Sequence, residues 1–433
     1  MNLYDVSSNF YYKKLAMQSI NLPTKPPSSP HPILNLSFRI FFSAAALFAI
    51  ITMTLWAFVF TGHTDIDAQT LNPLYWHGHE MIYGYALAVV AGFLLTAVKT
   101  WTGVMMPYGY KLLGIFMCWL LARLGWAAFG LGITVAGSGA ALLYAAAVFD
   151  LLFVGSMAFV IFRAVLQVKQ YKQMGILAKL ALLTLGNALC YWGIISANMN
   201  LTKLGVYLGF YIIIGLVLTI GRRVVPFFIE RGLSIPNAKG ETEAVTVRNN
   251  KAQDIASLLF FFAFFLVDLF YPNKYLLTIS ALGVAVVNIV RLVGWYHHGI
   301  WQKPLLWSLY IAFLGMCLSF VLYALQPWLG YSHSIAVHGL SISGVGMMTV
   351  AMMARVSLGH TGRSIHQPPK IVNVMFALMV LTFVSRVFLP LVDMSHYLLW
   401  IMVAQGAWIA CFALFCISYL PMLARQRPDG LFG

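Results

Sequence analysis

The sequence predicts an all-α fold: a polytopic integral membrane bundle of about twelve transmembrane helices with both termini cytoplasmic. Composition is the first observation behind this prediction, because 61% of the 433 residues are apolar and only 9% are charged. Soluble domains carry about 25% charged residues. The second observation is a mean hydropathy of +0.82, concentrated in long apolar runs. A soluble enzyme, a disordered chain and a nucleic-acid-binding protein are therefore excluded as interpretations.

Twelve apolar runs follow one another, each close to the roughly 20 residues that a membrane-crossing helix needs. Only helices and closed barrels satisfy the backbone in lipid, and continuous runs without strict alternation favour helices. The predicted spans are residues 36–60, 76–98, 111–134, 137–162, 176–196, 202–220, 255–271, 275–296, 304–326, 333–357, 371–391 and 397–421. The predicted layout is an N-terminal cytoplasmic tail at 1–35, a first six-helix half at 36–220, a cytoplasmic loop at 221–254, a second half at 255–424 and a C-terminal tail at 425–433.

Positive charge gives the predicted orientation. With the N-terminus inside, 21 of the 27 Lys and Arg residues fall in inner segments, 2 fall in outer loops and 4 lie within spans. Cytoplasmic segments of membrane proteins are enriched in these residues. The net charge of +15 is thus interpreted as a topology signal and a contact with anionic lipid, not with nucleic acid.

The first histidine motif is Trp76-His77-Gly78-His79-Glu80, at the start of the second span. Helix positions two apart differ by about 200°, so His77 and His79 cannot face one partner unless the first turn is extended. Glu80 lies about one turn inside the apolar boundary, where an ionisable group is a candidate for proton transfer or for holding a histidine tautomer. A water-exposed carboxylate is the alternative, and the small residues below it fit helix packing equally well.

The second motif opens the tenth span with His333 and His338. His338 lies about 7 Å deeper than His333 and at a depth similar to His79. Imidazole binds copper, zinc and haem iron, although a single interfacial histidine is usually not a ligand. The sequence therefore predicts that imidazoles from the second and tenth spans meet around a shared group near the outer face.

The end of the tenth span carries Arg355, His360 and Arg363. These cations either complement the helix C-terminus or form an inner-face anion site, for instance for haem propionates or a quinol head.

Charges within the spans predict two buried pairs. Arg123 and Asp150 lie at equal depth, and an unpaired charge there would be costly. Arg386 and Asp268 both lie near outer ends and form the second predicted pair.

Segments 76–103, 221–233 and 338–363 resemble the NnrS family of bacterial membrane proteins, and 31–42 is similar to the family's N-terminal entry. The resemblance implies a multi-pass protein of the bacterial inner membrane that binds haem, expected as haem b, and copper, and that is linked to resistance to nitric oxide and nitrosative stress. The implied functional positions are His77, His79, Glu80, His338, His360, Arg222, Arg223, Arg355 and Arg363, with His333 as a secondary metal candidate.

The resulting hypothesis is a haem-bearing protein that handles nitric oxide near the periplasmic face, with His77, His79 and His338 as metal ligands and Glu80 as a proton donor or a group that holds a ligand. The outcome is either reduction with electrons from quinol, as in a nitric oxide reductase-like oxidoreductase, or protection without turnover. The expected partners are nitric oxide, membrane lipid and quinol. The alternatives are a twelve-span transporter of a metal complex or small metabolite, and a non-catalytic haem-based sensor.

Overall fold

A computed structural model describes residues 29–63, 72–135, 139–234 and 244–433. Twelve helices in these ranges are long and apolar enough to cross a membrane, which confirms the predicted all-α bundle of about twelve transmembrane helices. They are α1 Ser37–Phe60, α2 Pro73–Thr102, α3 Tyr110–Gly130, α4 Ala140–Gln167, α5 Tyr171–Ile195, α6 Met199–Leu233, α7 Lys251–Phe270, α8 Lys274–Trp295, α9 Pro304–Leu329, α10 His333–His360, α11 Ile371–Val392 and α12 Tyr397–Ala424. Most of the predicted tail at 1–35 and part of the predicted loop at 221–254 lie outside the described residues.

The sixth helix runs further than the sequence predicted. Its predicted end at residue 220 was wrong, because α6 continues through the Arg222–Arg223 pair to Leu233, with Pro226 inside it. At 1.5 Å per residue its 35 residues span about 52 Å, well beyond a hydrocarbon core of about 30 Å. The last turns of α6 therefore extend past the apolar layer, where arginine is tolerated.

Burial separates central helices from peripheral ones. Within their most apolar windows, α2, α6 and α10 are each 78% buried, whereas α7 is only 17% buried. Helices that are adjacent in the chain pack in pairs, such as α3 with α4 and α5 with α6, and α12 packs on α1. We call the end at which α2 and α10 begin the cavity end, and the end at which α1 begins and α12 ends the basic end.

The contact between α5 and α6 depends on a glycine. A Cβ atom at Gly205 would lie 2.4 Å from the backbone nitrogen of Cys190 and 2.5 Å from the carbonyl oxygen of Gly186. Tyr83 on α2 donates a hydrogen bond to the Gly205 carbonyl at 2.7 Å. Small residues allow membrane helices to approach this closely, and the tyrosine fixes α2 against the pair.

In the described ranges, three helices contain π-helical segments: Glu80–Ala86 in α2, Ser341–Met347 in α10 and Val384–Phe388 in α11. Such segments are rare in proteins, and those that occur are often found at functional sites. A hydrogen bond of 2.7 Å between the Tyr85 and Thr349 hydroxyls joins α2 to α10. The helices that carry the two histidine motifs are thus neighbours, as the sequence predicted.

Candidate functional site

The start of α2 separates its two histidines. Asn72 accepts a hydrogen bond from the backbone nitrogen of Leu74 at 2.9 Å, and Pro73 occupies the first turn, so the motif is helical from the outset. The His77 ring stacks on Trp56, with centroids 4.4 Å apart. The His79 ring stacks instead on Trp126 at 4.1 Å. The predicted divergence of the two rings is confirmed.

A cavity of about 500 Å³ lies at the cavity end, among α1, α2, α6, α10, α11 and α12. His77, His333 and His338 all line it, together with Arg386 and Lys203. Most of the remaining wall is apolar or aromatic. Its larger members are Met53, Trp56, Tyr75, Met81, Tyr207, Phe210, Tyr397 and Trp408. A mostly apolar cavity with a few convergent polar groups is typical of a cofactor or ligand site.

His338 has one ring nitrogen free. Its Nδ1 lies 2.7 Å from the backbone carbonyl of Ser334, and a carbonyl only accepts, so we assign the proton to Nδ1. Arg386 Nη2 lies 3.2 Å from the same nitrogen, but it has a shorter contact of 2.9 Å with the Ser334 hydroxyl. This tautomer leaves Nε2 of His338 as a lone-pair donor.

His77 also has a ring nitrogen without a hydrogen-bond partner among the described residues. This nitrogen, Nδ1, is buried. A buried nitrogen without a partner is costly. Two imidazoles from different helices therefore line one cavity, and one ring nitrogen of each has no hydrogen-bond partner among the described residues.

The third cavity histidine, His333, is held by a carboxylate. Its Nε2 lies 3.3 Å from Asp268 Oδ1, and Asp268 also accepts a hydrogen bond from the Tyr211 hydroxyl. Tyr211 is in turn 3.3 Å from the Tyr323 hydroxyl. A carboxylate that holds one nitrogen of a histidine fixes its tautomer and leaves the other nitrogen free for a metal or a proton.

The predicted pair between Asp268 and Arg386 is wrong. Asp268 on α7 faces the tyrosines of α6 and α9, whereas Arg386 on α11 reaches the start of α10. Arg386 is 8% exposed, and its Nη1 has no hydrogen-bond partner in the described part of the chain. A cavity cation that no described carboxylate contacts is suited to an anionic group of a ligand, a role that the sequence reasoning missed.

A second polar group lies on the other side of α2. Arg123 binds both Glu80 and Asp150, so the predicted Arg123–Asp150 pair is confirmed. Tyr191 donates to Asp150 at 2.9 Å. We call His79, Glu80, Arg123, Asp150 and Tyr191 the buried ion cluster. All five are at most 3% exposed.

Both ring nitrogens of His79 have hydrogen-bond partners. Nδ1 lies 3.0 Å from Glu80, and Nε2 lies 3.0 Å from the Asn187 side chain. Neither His79 nor Glu80 lines the cavity. The expectation that His79 and His338 meet around one group is therefore wrong, because the helical turn after His77 directs His79 and Glu80 toward α3, α4 and α5.

The other predicted residues lie at the basic end. His360 is 22 residues beyond His338 on α10, which corresponds to about 33 Å. The Arg355 guanidinium lies over the Phe228 ring at 4.2 Å, while the His360 ring is 5.7 Å from that of Phe38. Arg355 thus faces α6 and His360 faces α1, so the structure divides the predicted inner-face anion site in two.

The remaining arginines have separate surroundings. Arg222 pairs with Asp254 at 2.5 Å, Arg223 is exposed, and Arg363 donates to the Thr361 carbonyl at 3.2 Å. None of them lines the cavity. In the described ranges, no group of three or more His, Cys, Asp or Glu side chains is arranged to hold a metal ion. A metal in the cavity would therefore depend on fewer imidazoles, with other ligands beside them.

The sequence model of the NnrS family matches residues 32–427. The chain belongs to the NnrS family. Membership and the twelve apolar helices together identify a multi-pass membrane protein related to nitric oxide. The search of curated proteins gave no match.

Proposed function

We propose that this NnrS-family protein binds nitric oxide in the cavity, at a haem b for which His77 and His338 would supply imidazole, and so contributes to resistance to nitric oxide. One observation carries the proposal: imidazoles from α2 and α10 line the same cavity, and each has a ring nitrogen that no described residue contacts by a hydrogen bond. Imidazole nitrogens without a protein partner are suited to bind a metal.

The residues present fit a haem. The cavity volume of about 500 Å³ lies within the range of roughly 300–1,000 Å³ that is usual for such sites. Aromatic walls suit a flat apolar ring, and Arg386 and Lys203 supply positive charge for carboxylates at its edge. Copper is a second candidate ligand of the same site, because the thioethers of Met53 and Met81 line the cavity beside the imidazoles.

A ferrous haem would supply a strong affinity for nitric oxide. The chain would supply oriented imidazoles and an apolar wall. The bond from His338 to the Ser334 carbonyl fixes that ring, and the stack on Trp56 fixes His77. Apolar walls exclude water, while an uncharged gas enters from lipid without a polar channel. These features support binding and protection in the bacterial inner membrane.

Reduction of nitric oxide with electrons from quinol is the second candidate function. Joining two nitric oxide molecules to give nitrous oxide and water consumes two protons and two electrons. The contact between Asp268 and His333 favours this candidate, because it links a carboxylate to a cavity imidazole that can pass a proton.

Absorption spectroscopy of the purified protein tests the proposal. We expect a Soret band that shifts on addition of nitric oxide, and we expect His77→Ala and His338→Ala each to weaken or abolish it. His396→Ala is the matched control, because His396 is an exposed histidine near the same end and does not line the cavity. Metal analysis of the same samples measures copper. If both cavity variants keep the full spectrum and its shift, the ligand assignment fails, and a folded but colourless, metal-free protein would favour a transporter.

A further inference from the structure

Arg39, in the first turn of α1, is completely buried at the basic end. Its Nη1 donates to the backbone carbonyls of Leu423 and Arg425 at 2.6 and 2.7 Å. Its Nε and Nη2 have no hydrogen-bond partner among the described residues. Capping the end of α12 explains the bonds of Nη1, but it leaves the other edge of the guanidinium unexplained.

The surroundings of Arg39 add positive charge. Arg39 donates to the Arg425 carbonyl at 2.7 Å, and Arg427 donates to the carbonyl of His360 at 2.9 Å. Arg363 follows three residues after His360, and its positive charge acts on Arg39 together with that of Arg427. The charges of Lys99 and Arg427 both act on His360, whose ring is 5.7 Å from that of Phe38 on α1. We call Arg39, Lys99, Arg363, Arg425 and Arg427 the basic cluster.

Carboxylates in the described part of the chain do not neutralise this cluster. In the described ranges only Asp429 is in contact with it, and both of its oxygens are bound by Arg427. The other acidic side chains with ion pairs have partners elsewhere, in the buried ion cluster, with Arg222, or with histidines. A buried guanidinium without a counter-charge is costly, so the cluster is suited to an anion from outside the chain.

The free edge of Arg39 indicates the kind of anion. Nε–H and Nη–H on one side of a guanidinium form a fork that matches two oxygens of a phosphate or carboxylate group. The cluster lies where α1 begins and where α10 and α12 end, at one end of the apolar spans. Basic pockets between helices on the positively charged side of a membrane protein bind anionic headgroups.

We propose that the basic cluster binds a phosphate group, supplied by an anionic phospholipid, with Arg39 gripping two of its oxygens and Arg363 and Arg425 adding charge at the entrance. Arg425 is exposed and Arg363 is half-buried, so both are accessible from the headgroup layer. The site lies at the opposite end of the bundle from the cavity and does not depend on what the cavity binds.

Lipid binding to the full-length, delipidated protein in a neutral detergent tests this proposal. The probes are phosphatidylglycerol, phosphatidylcholine and inorganic phosphate, and the readouts are native mass spectrometry and the thermal unfolding temperature. We expect phosphatidylglycerol to bind and to raise the unfolding temperature, and phosphatidylcholine to do neither. A shift produced fully by inorganic phosphate, with nothing added by the lipid, would overturn the lipid assignment.

The Arg363→Gln/Arg425→Gln double variant removes two entrance charges from positions that are not fully buried. At about five-fold for each cation near a charged membrane surface, phosphatidylglycerol affinity should fall about 25-fold. Arg39→Lys keeps the charge but loses the fork, and it should also weaken binding. Arg163→Gln is the control, because Arg163 is an exposed arginine at the same end, away from the cluster, and it should bind like the unaltered protein.

Two results would overturn the site. One is a double variant that binds phosphatidylglycerol as tightly as the unaltered protein. The other is an equal loss in Arg163→Gln, which would indicate a diffuse charge effect. If Arg39→Lys does not fold, the double variant still decides the question. The Arg363 and Arg425 side chains that it replaces make no hydrogen bond to another helix in the described structure, so we expect it to fold.

Discussion

Replacing Arg123 by methionine would remove the only cation of the buried ion cluster that is permanently charged. Arg123 is 3% exposed, and its partners Glu80 and Asp150 are 2% and 0% exposed. In Arg123→Met, Asp150 keeps the Tyr191 hydroxyl at 2.9 Å and Glu80 keeps His79 at 3.0 Å. Breaking a buried ion pair from one side costs about 3–5 kcal/mol. We expect a loss of that size in the free energy of unfolding.

Unfolding by dodecyl sulfate in mixed micelles, followed by circular dichroism, measures this loss. The triple variant Glu80→Gln/Arg123→Met/Asp150→Asn removes all three charges and should recover most of the stability, because neutral amides are cheaper to bury than carboxylates. Arg163→Met is the exposed control and should stay within about 0.5 kcal/mol of the unaltered protein. The reasoning is refuted if Arg123→Met is as stable as that control, or if the triple variant is no better than the single one.

Three further predictions concern other parts of the bundle. Gly205→Ala places a Cβ atom 2.4 Å from a backbone nitrogen of α5, so the helices must separate, and we expect a loss of at least about 1–3 kcal/mol in the same unfolding assay. Asp268→Leu removes the acceptor that holds His333. If His333 binds a metal in the cavity, metal affinity measured by competition with a chelator should fall about 10–100-fold. An unchanged affinity would exclude that role of His333. Hydrogen bonds from Arg427 lower the pKa of Asp429 to about 2, so this contact stabilises the tail above the ordinary pKa of 3.8 and is lost as the pH falls toward 2. Hydrogen exchange of residues 425–433, corrected for its intrinsic rate, should show this loss, and Asp429→Asn should remove the pH dependence.

Features that depend on local pattern were predicted correctly from the sequence. Hydropathy predicted all twelve spans. The rotation of about 100° per helical residue predicted that His77 and His79 face different neighbours. The Arg123–Asp150 pair followed from equal depth in neighbouring helices, where few other partners were available. Each of these features needs only the residues of one helix, or of two consecutive helices.

Features that depend on the rotation of one helix against a distant one were not predicted. Depth alone suggested that Asp268 would meet Arg386, but their helices present these side chains to different neighbours, Tyr211 and Ser334. Depth also suggested that His79 would join His338. Helix rotation cannot be derived from one amphipathic pattern when nearly every face of a membrane helix is apolar.

The end of α6 was missed for another reason. The Arg222–Arg223 pair interrupts the apolar run, which indicated a loop, yet these arginines lie within a helix that continues to Leu233. Arg222 is stabilised there by Asp254, at the start of α7. A hydropathy profile detects where the apolar layer stops, and a helix does not have to stop with it.

The π-helical segments of α2, α10 and α11 have a consequence for how this bundle tolerates changes in chain length. A π-turn accommodates one additional residue within an otherwise α-helical ladder. Deleting a single residue from Glu80–Ala86 would therefore allow α2 to relax to a regular helix, while the His77 turn before it and Leu87–Thr102 after it kept nearly the same faces. Deleting a residue from Leu87–Thr102 would instead rotate the two sides of the deletion by about 100° against each other. The π-helical segments are thus the places in these helices where the loss of one residue changes helix orientation least.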